Sequence, residues 1–356
     1  MLEDDHAHDE EMPRLRFTRR TIIVGVVFIV ATIAFLYFGL PQIAGLEDTW
    51  HQIEQGSPWW LLLAFAFTVI SFGGYVVLFQ FVYVHAGSRI DLRASYQITM
   101  ASLAATRLFA AGGAGGIALT AWALRRAGMG RREVADSTVV FLCLTYVVYM
   151  AALVIVGLGL RLGVFPGPDP FAITVVPAIF GATAIVVFLA LALVPTDAER
   201  RFRSWAEAHE HPRVARIGTR LATVPASVST GVRTAVAHVR DRNPSLLGSV
   251  VYWGFNIAVL WACFRAFGEA PPWAVIVMAY YVGMLGNLLP LPGGVGGVDG
   301  GMIGAFAAFG VSFGTATVAV LAYRAFAFWL PTIPGAIAYF QLRKTVRQWR
   351  RVPLLH

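Results

Sequence analysis

The stretch Leu289-Pro290-Leu291-Pro292-Gly293-Gly294-Val295-Gly296-Gly297-Val298-Asp299-Gly300-Gly301 decides the fold. It lies inside a long apolar region. Two prolines and six glycines in thirteen residues cannot continue a helix, because proline lacks the amide donor and glycine loses the most backbone entropy. At membrane depth an unpaired backbone group is costly, so a broken backbone there must pack inside protein or face a wet cavity. Asp299 adds a carboxylate to the same turn, which makes the stretch a candidate functional site.

The surrounding composition fixes the environment. Of 356 residues, 57% are hydrophobic and 13% charged, against roughly 25% charged in a soluble domain. The chain therefore reads as an all-α polytopic membrane protein. Its basic excess flanks apolar segments and forms no single patch, which argues for positive-inside topology and against nucleic acid. Cys143 and Cys263 fall inside apolar spans and act as small hydrophobes, with no disulfide framework and no metal site. The tail 1–20 is acidic and then basic, with Arg14, Arg16, Arg19 and Arg20 placing it in the cytoplasm ahead of an uncleaved span, Thr21–Leu40.

Six spanning helices are expected: Thr21–Leu40, Trp59–Val84, Ser137–Leu160, Phe171–Val194, Ser245–Phe267 and Thr315–Tyr339. Between them lie two segments too short in each leg to cross about 30 Å of hydrocarbon. Ser95–Ala111 is about 25 Å long as a helix and ends at Gly112-Gly113-Ala114-Gly115-Gly116, after which Ile117–Ala127 adds about 16 Å. Arg89 and Arg93 precede this segment, and Arg125, Arg126, Arg131 and Arg132 follow it, so both ends belong on the cytoplasmic side. A re-entrant hairpin over 95–127 satisfies length and charge together. The second such segment, 273–310, has legs Trp273–Leu289 and Val298–Gly310 around the opening stretch, and it enters from the other face.

An inverted-topology repeat follows. Residues 21–160 and 171–340 each read span, span, hairpin, span, in opposite orientation, with Gly-Gly-X-Gly-Gly at corresponding places. The second half carries a polar insertion, 195–243, with nine arginines and apolar residues at helical spacing, read as cytoplasmic amphipathic helices. The basic segment 341–356 places the C-terminus in the cytoplasm as well.

Opposed interrupted hairpins are a recurrent transporter architecture, and their tips offer helix N-termini suited to an anion. The candidate substrate-binding residues are Arg107, Gly112, Gly113, Gly115, Gly116, Pro292, Gly293, Gly294, Gly296, Gly297, Asp299 and Arg324. Close helix packing accounts for the glycines equally well. Asp299 is expected to pair with Arg324, while Arg107 faces the cavity and attracts an anionic headgroup, or else snorkels to the interface. Asn256 and Asn287 are candidates for interhelical hydrogen bonds, and Arg265 for snorkelling. No paired catalytic carboxylates, nucleophile or metal-ligand spacing occurs, so neither an enzyme nor a cofactor is expected. The match of Gly113 to Ala118 to a dinucleotide fingerprint lacks its strand and lies in lipid.

At these residues the chain resembles the flippase-like lysylphosphatidylglycerol synthase transmembrane family, the membrane half of the multiple peptide resistance factor. The resemblance rests on Leu289 to Gly301, Gly310-Val311, Ala322-Tyr323-Arg324, Trp329-Leu330-Pro331, and Gly112 to Gly116 with Leu124-Arg125-Arg126-Ala127-Gly128. It differs in carrying Asp299 where the family usually has glutamate. The resemblance implies movement of an anionic phospholipid or lipid-linked anion between leaflets of a bacterial-type plasma membrane, without the soluble synthase domain. A secondary transporter of a soluble organic anion, and a non-transporting partner of a separate lipid-modifying enzyme, remain alternatives.

Overall fold

The computed structural model describes residues 56–85, 88–108, 114–193, 228–288, 294 and 296–349. The expected first span Thr21–Leu40, the N-terminal tail, residues 350–356 of the C-terminal tail, most of the insertion 195–243, and Gly112, Gly113, Pro292 and Gly293 lie outside the described residues. The described residues are helical, in the order α1 (Pro58–Tyr83), α2 (Leu92–Leu108), α3 (Ala114–Arg126), α4 (Arg131–Arg161), α5 (Phe171–Ala192), α6 (228–240), α7 (Pro244–Phe267), α8 (Trp273–Met284), α9 (Gly297–Ala308), α10 (Phe313–Arg324) and α11 (Leu330–Trp349). A 3-10 turn, Leu285–Leu288, extends α8, and a π-turn, Ala325–Trp329, joins α10 to α11. Five described helices are long and apolar enough to cross a membrane: α1, α4, α5, α7 and the continuous run Phe313–Trp349.

The short legs pair as the broken backbone requires. α2 packs against α3, and α8 against α9. Ser102 Oγ and Thr120 Oγ1 meet at 2.8 Å across the first pair. In the second pair glycines replace them: a Cβ on Gly301 would lie 3.2 Å from the Gly283 Cα. A Cβ on Gly286 would lie 2.4 Å from the Gly297 carbonyl carbon, so the second pair admits no side chain at its closest approach.

The most extensive helix contact is between α1 and α7, which run antiparallel. They touch backbone to backbone at Gly74 and Gly248, where an added Cβ would sit 2.6 to 2.9 Å from main-chain atoms of the partner helix. Ser71 Oγ donates to the Tyr252 carbonyl at 2.8 Å, and Phe67 meets Phe255 edge-on. Two cores flank this crossing. One gathers α7, α8, α9 and α10 with Phe264, Tyr280 and Phe306 at its centre; the other gathers α1, α2, α3, α4, α6 and α11 around Leu78, Ile98, Leu124 and Leu144. The last span therefore belongs to both, with the π-turn at the changeover.

Element ends differ from the hydropathy reading. α4 starts at Arg131, six residues before the expected Ser137, because Glu133 reaches back to the Gly130 amide at 3.3 Å and caps the helix among its arginines. The last span continues ten residues past Tyr339 to Trp349, where Arg89 donates to the Trp349 carbonyl at 2.8 Å. Hydropathy marks where lipid ends, whereas a helix continues until its backbone finds other partners.

Candidate functional site

Asp299 occupies the third position of α9, in its first turn. Its Oδ2 accepts a hydrogen bond from the Gly296 amide at 2.9 Å, which closes a capping turn at the helix N-terminus. Gly296 adopts φ of 83°, a left-handed conformation that favours glycine. Of the amides expected at this N-terminus, that of Gly296 is met by the chain's own carboxylate.

The other carboxylate oxygen faces α10. Arg324 Nε lies 2.6 Å from Asp299 Oδ1, and the two side chains are 8% and 3% exposed. This is an electrostatic contact without an aligned N–H, since Oδ1 accepts no hydrogen bond among the described residues. The expected Asp299–Arg324 pair is thus present, at the depth where either charge alone is expensive.

Arg107, in the last turn of α2, finds different partners. Its Nη1 donates to the Phe328 carbonyl at 2.6 Å and lies 3.4 Å from Thr332 Oγ1, while Nη2 donates to the Ala327 carbonyl at 2.8 Å. One of these acceptors, the Ala327 carbonyl, is available because of Pro331; the Phe328 carbonyl also accepts from Thr332 Oγ1 at 2.7 Å. A proline has no amide to offer the carbonyl four residues back, which is that of Ala327. The backbone widens into the π-turn, with Leu330 N–H bonding the Ala325 carbonyl, and the freed Ala327 oxygen accepts from the guanidinium. Held by these carbonyls, Arg107 bridges the first helix pair to the final span.

The two arginines share one ring. The Arg107 guanidinium carbon lies 4.9 Å from the Phe328 centroid and that of Arg324 lies 4.3 Å away; Arg107 is also 5.6 Å from the Phe72 centroid. Two guanidinium groups therefore share the Phe328 ring, and one of them, that of Arg324, is paired with the Asp299 carboxylate. No carboxylate approaches Arg107 among the described residues, so carbonyl dipoles and ring faces offset its charge.

A buried polar chain continues from Arg324. Tyr323 Oη donates toward Asn256 Oδ1 at 3.3 Å and lies 3.3 Å from Tyr280 Oη. Asn256 Nδ2 donates to Ser71 Oγ at 2.5 Å and to the Tyr252 carbonyl at 2.9 Å, which ties α7 to α1 as expected of this residue. Asn287 does otherwise: its amide nitrogen makes a local 3.4 Å contact to Met284 Sδ, and the residue is exposed. Arg265 is exposed and stacks on Trp60 at 5.3 Å, consistent with an interfacial position.

Among the other candidates, Gly116 is buried beneath Thr106 and Ser102, where a Cβ would stand 2.5 Å from the Ser102 carbonyl oxygen. Gly294, with φ of 66°, is buried with Asn287 Oδ1 2.3 Å from where its Cβ would be. Both contacts are close packing, the alternative role for these glycines. Gly115 and Gly297 are half-buried at the starts of α3 and α9. No group of three metal-ligating side chains occurs among the described residues. Reading charges alone missed Phe328, Ala327 and Thr332; Pro331 was the available signal, since it marks the carbonyl it leaves unbonded.

Long apolar helices, paired short legs and ion pairing at membrane depth define an integral, polytopic α-helical membrane protein. The profile of the lysylphosphatidylglycerol synthase TM region matches residues 22–335, and the chain belongs to that family. It is 24% identical over 339 residues to a UPF0104 membrane protein of Methanothermobacter thermautotrophicus, covering 90% of this chain and 94% of that protein. Shorter matches to UPF0104 membrane proteins of the same organism reach 34% identity over 112 residues, 30% of this chain and 31% of the relative, and 32% over 117 residues, 31% and 35% respectively.

Proposed function

We propose that the chain carries an anionic phospholipid, or another lipid-linked anion, between membrane leaflets. The observation that carries this reading is the cluster in which Arg107 and Arg324 share the Phe328 ring and Asp299 pairs with Arg324. Arg107 is half-buried, contributed by one helix pair and held by another span's backbone. A phosphate oxygen is a stronger acceptor for a guanidinium than a carbonyl, so a headgroup reaching Arg107 can displace Ala327 and Phe328. Release of Arg107 then uncouples α2 from the last span. An anion that breaks its own barrier contact as it passes is what alternating access requires.

Contact registers support the inverted repeat and its two re-entrant hairpins. Gly112 and Gly293 are 181 positions apart. Under that offset Ser102 and Thr120 correspond to Gly283 and Gly301, and each pair is a contact within its own helix pair. Gly74 with Gly248 corresponds to Phe255 with Phe67, again a contact in both cases. Ser71 corresponds to Tyr252, and these two touch each other, as residues on a two-fold axis would.

The test is leaflet exchange in proteoliposomes, with a fluorescent anionic phospholipid and an impermeant quencher added outside. Arg107→Gln and Asp299→Asn should slow exchange at equal protein content. Wild-type exchange no faster than in empty vesicles, across anionic and zwitterionic probes, would refute the proposal. Uptake of a soluble organic anion by the same vesicles would then favour a solute transporter.

A further inference from the structure

We infer that α4, α5 and α6 hold one acyl chain of an anionic membrane phospholipid in a lateral groove, a site separate from the charge cluster. The groove has a volume of about 190 Å³. Its wall comprises Cys143, Val147 and Met150 on α4, Phe188 on α5, and Val232 and Val236 on α6, with only apolar residues completing it. The opposite side of α4 carries Thr145 and Tyr149, bonded to α7 and α8, so the helix stands between this groove and the aromatic interior.

α6 is locked in place. Gly231 lets it approach α4 so closely that a Cβ would lie 2.6 Å from the Val139 side chain and 3.1 Å from the Asp136 carbonyl oxygen. Arg233 Nε donates to the Ala192 carbonyl at 2.7 Å and caps the C-terminus of α5. Two anchored helices and α6 thus frame a gap that no described side chain fills. Protein interiors leave few such gaps, and an apolar one repels water. Val236 and Val239 remain 41% and 40% exposed in it, with Phe188 and Leu189 at 37% and 49%.

Position and charge select the occupant. α4 and α5 are membrane-spanning by length and hydropathy, so hydrocarbon is the surrounding medium. Directly after Val239 come Arg240, Asp241 and Arg242, all exposed, so that two guanidinium groups outweigh one carboxylate there. Arg242 holds φ of 52°, the left-handed closing position of a helix that glycine normally takes. Its bonds are those of that motif: Arg242 N–H to the Val239 carbonyl and Asn243 N–H to that of His238. Apolar lining beside a segment whose exposed charges sum to a net positive matches one lipid tail beneath an anionic headgroup.

The inference needs only that the chain is an integral membrane protein, so failure of leaflet exchange leaves it standing. The full chain is reconstituted with phosphatidylglycerol bearing a mid-chain diazirine, irradiated, and its adducts mapped by peptide mass spectrometry. Adducts should concentrate on 143–150 and 232–239 relative to Leu62 and Val69, exposed on α1. Val236→Trp, at a site exposed enough to accept the ring, should remove most of them. Arg240→Gln should lower labelling about fivefold, the effect of one arginine near an anionic surface, and a phosphatidylcholine probe should label less than phosphatidylglycerol. Even labelling of all lipid-facing helices, or labelling unchanged in Val236→Trp, overturns the groove. Equal labelling by both probes overturns the anionic occupant.

Discussion

Replacing Asp299 with asparagine tests the charge cluster most directly. Asparagine retains a side-chain oxygen, so the bond from the Gly296 amide at 2.9 Å can survive and α9 keeps its cap. What disappears is the negative charge 2.6 Å from Arg324 Nε. With both side chains under one-tenth exposed, water cannot take over the role of the carboxylate. Removing one partner of a buried pair costs about 3–5 kcal/mol, whereas an exposed pair contributes about 0–1. Asp299→Asn is therefore expected to lower unfolding free energy by about 3 kcal/mol or more. Arg324→Gln should cost a similar amount. The double variant should cost less than the two together, because neither charge is then stranded, with a coupling of about 2 kcal/mol. Equilibrium unfolding in mixed micelles measures all four proteins. Strict additivity, or a single-variant cost below about 1 kcal/mol, refutes the reasoning, since it would mean that the two groups are hydrated.

Four other outcomes follow from particular contacts. Arg107→Lys should fail to restore exchange lost in Arg107→Gln, because a single ammonium cannot reproduce the planar fork that spans the Ala327 and Phe328 carbonyls; proteoliposome exchange reads this. Pro331→Ala returns an amide to the Ala327 carbonyl, so it should weaken the Arg107 contact and raise hydrogen-exchange rates where α2 meets α11. Gly248→Ala puts a methyl 2.6 Å from the Leu78 amide and should destabilise by about 1–3 kcal/mol in the same micelle assay. His238, on α6, has its pKa lowered by burial, which outweighs the opposing Asp241 carboxylate and is reinforced least of all by His85. The folded chain thus takes up a proton at lower pH than the unfolded chain, so stability should decline as pH falls through about 6.5 and below, a slope that His238→Gln flattens in pH-dependent melts.

Much of this was legible in the residues because membrane energetics leaves few options. A carboxylate and an arginine inside apolar sequence must find partners, and Asp299 and Arg324 found each other. Prolines and glycines at 290–301 had to interrupt a helix, and α8 stops ahead of them, although α9 already starts at Gly297 and takes Gly300 and Gly301 into its first turns. Arg107 was harder. Its acceptors are main-chain carbonyls, which every residue possesses, and only the proline four places downstream distinguishes Ala327 from its neighbours. The capping role of Asp299 was encoded in its spacing from Gly296, but the expectation of an outside anion obscured it. The groove had no linear signature, because it arises where Gly231 meets Val139, ninety-two positions apart.

The π-turn also acts as a rotational offset. Each helical residue advances the chain about 100° around its axis, so one extra residue in a turn swings everything beyond it by nearly a third of a revolution. Pro331, Gly335, Ala338, Leu342 and Val346 are the buried face of α11, and Gly335 rides against the Met100 carbonyl oxygen, 2.7 Å from where its Cβ would be. Without the bulge that seam would turn away from α2 while α10 kept its grip on α9. The bulge that Pro331 imposes beside Arg107 thus also sets which face of the far half of the span meets α2.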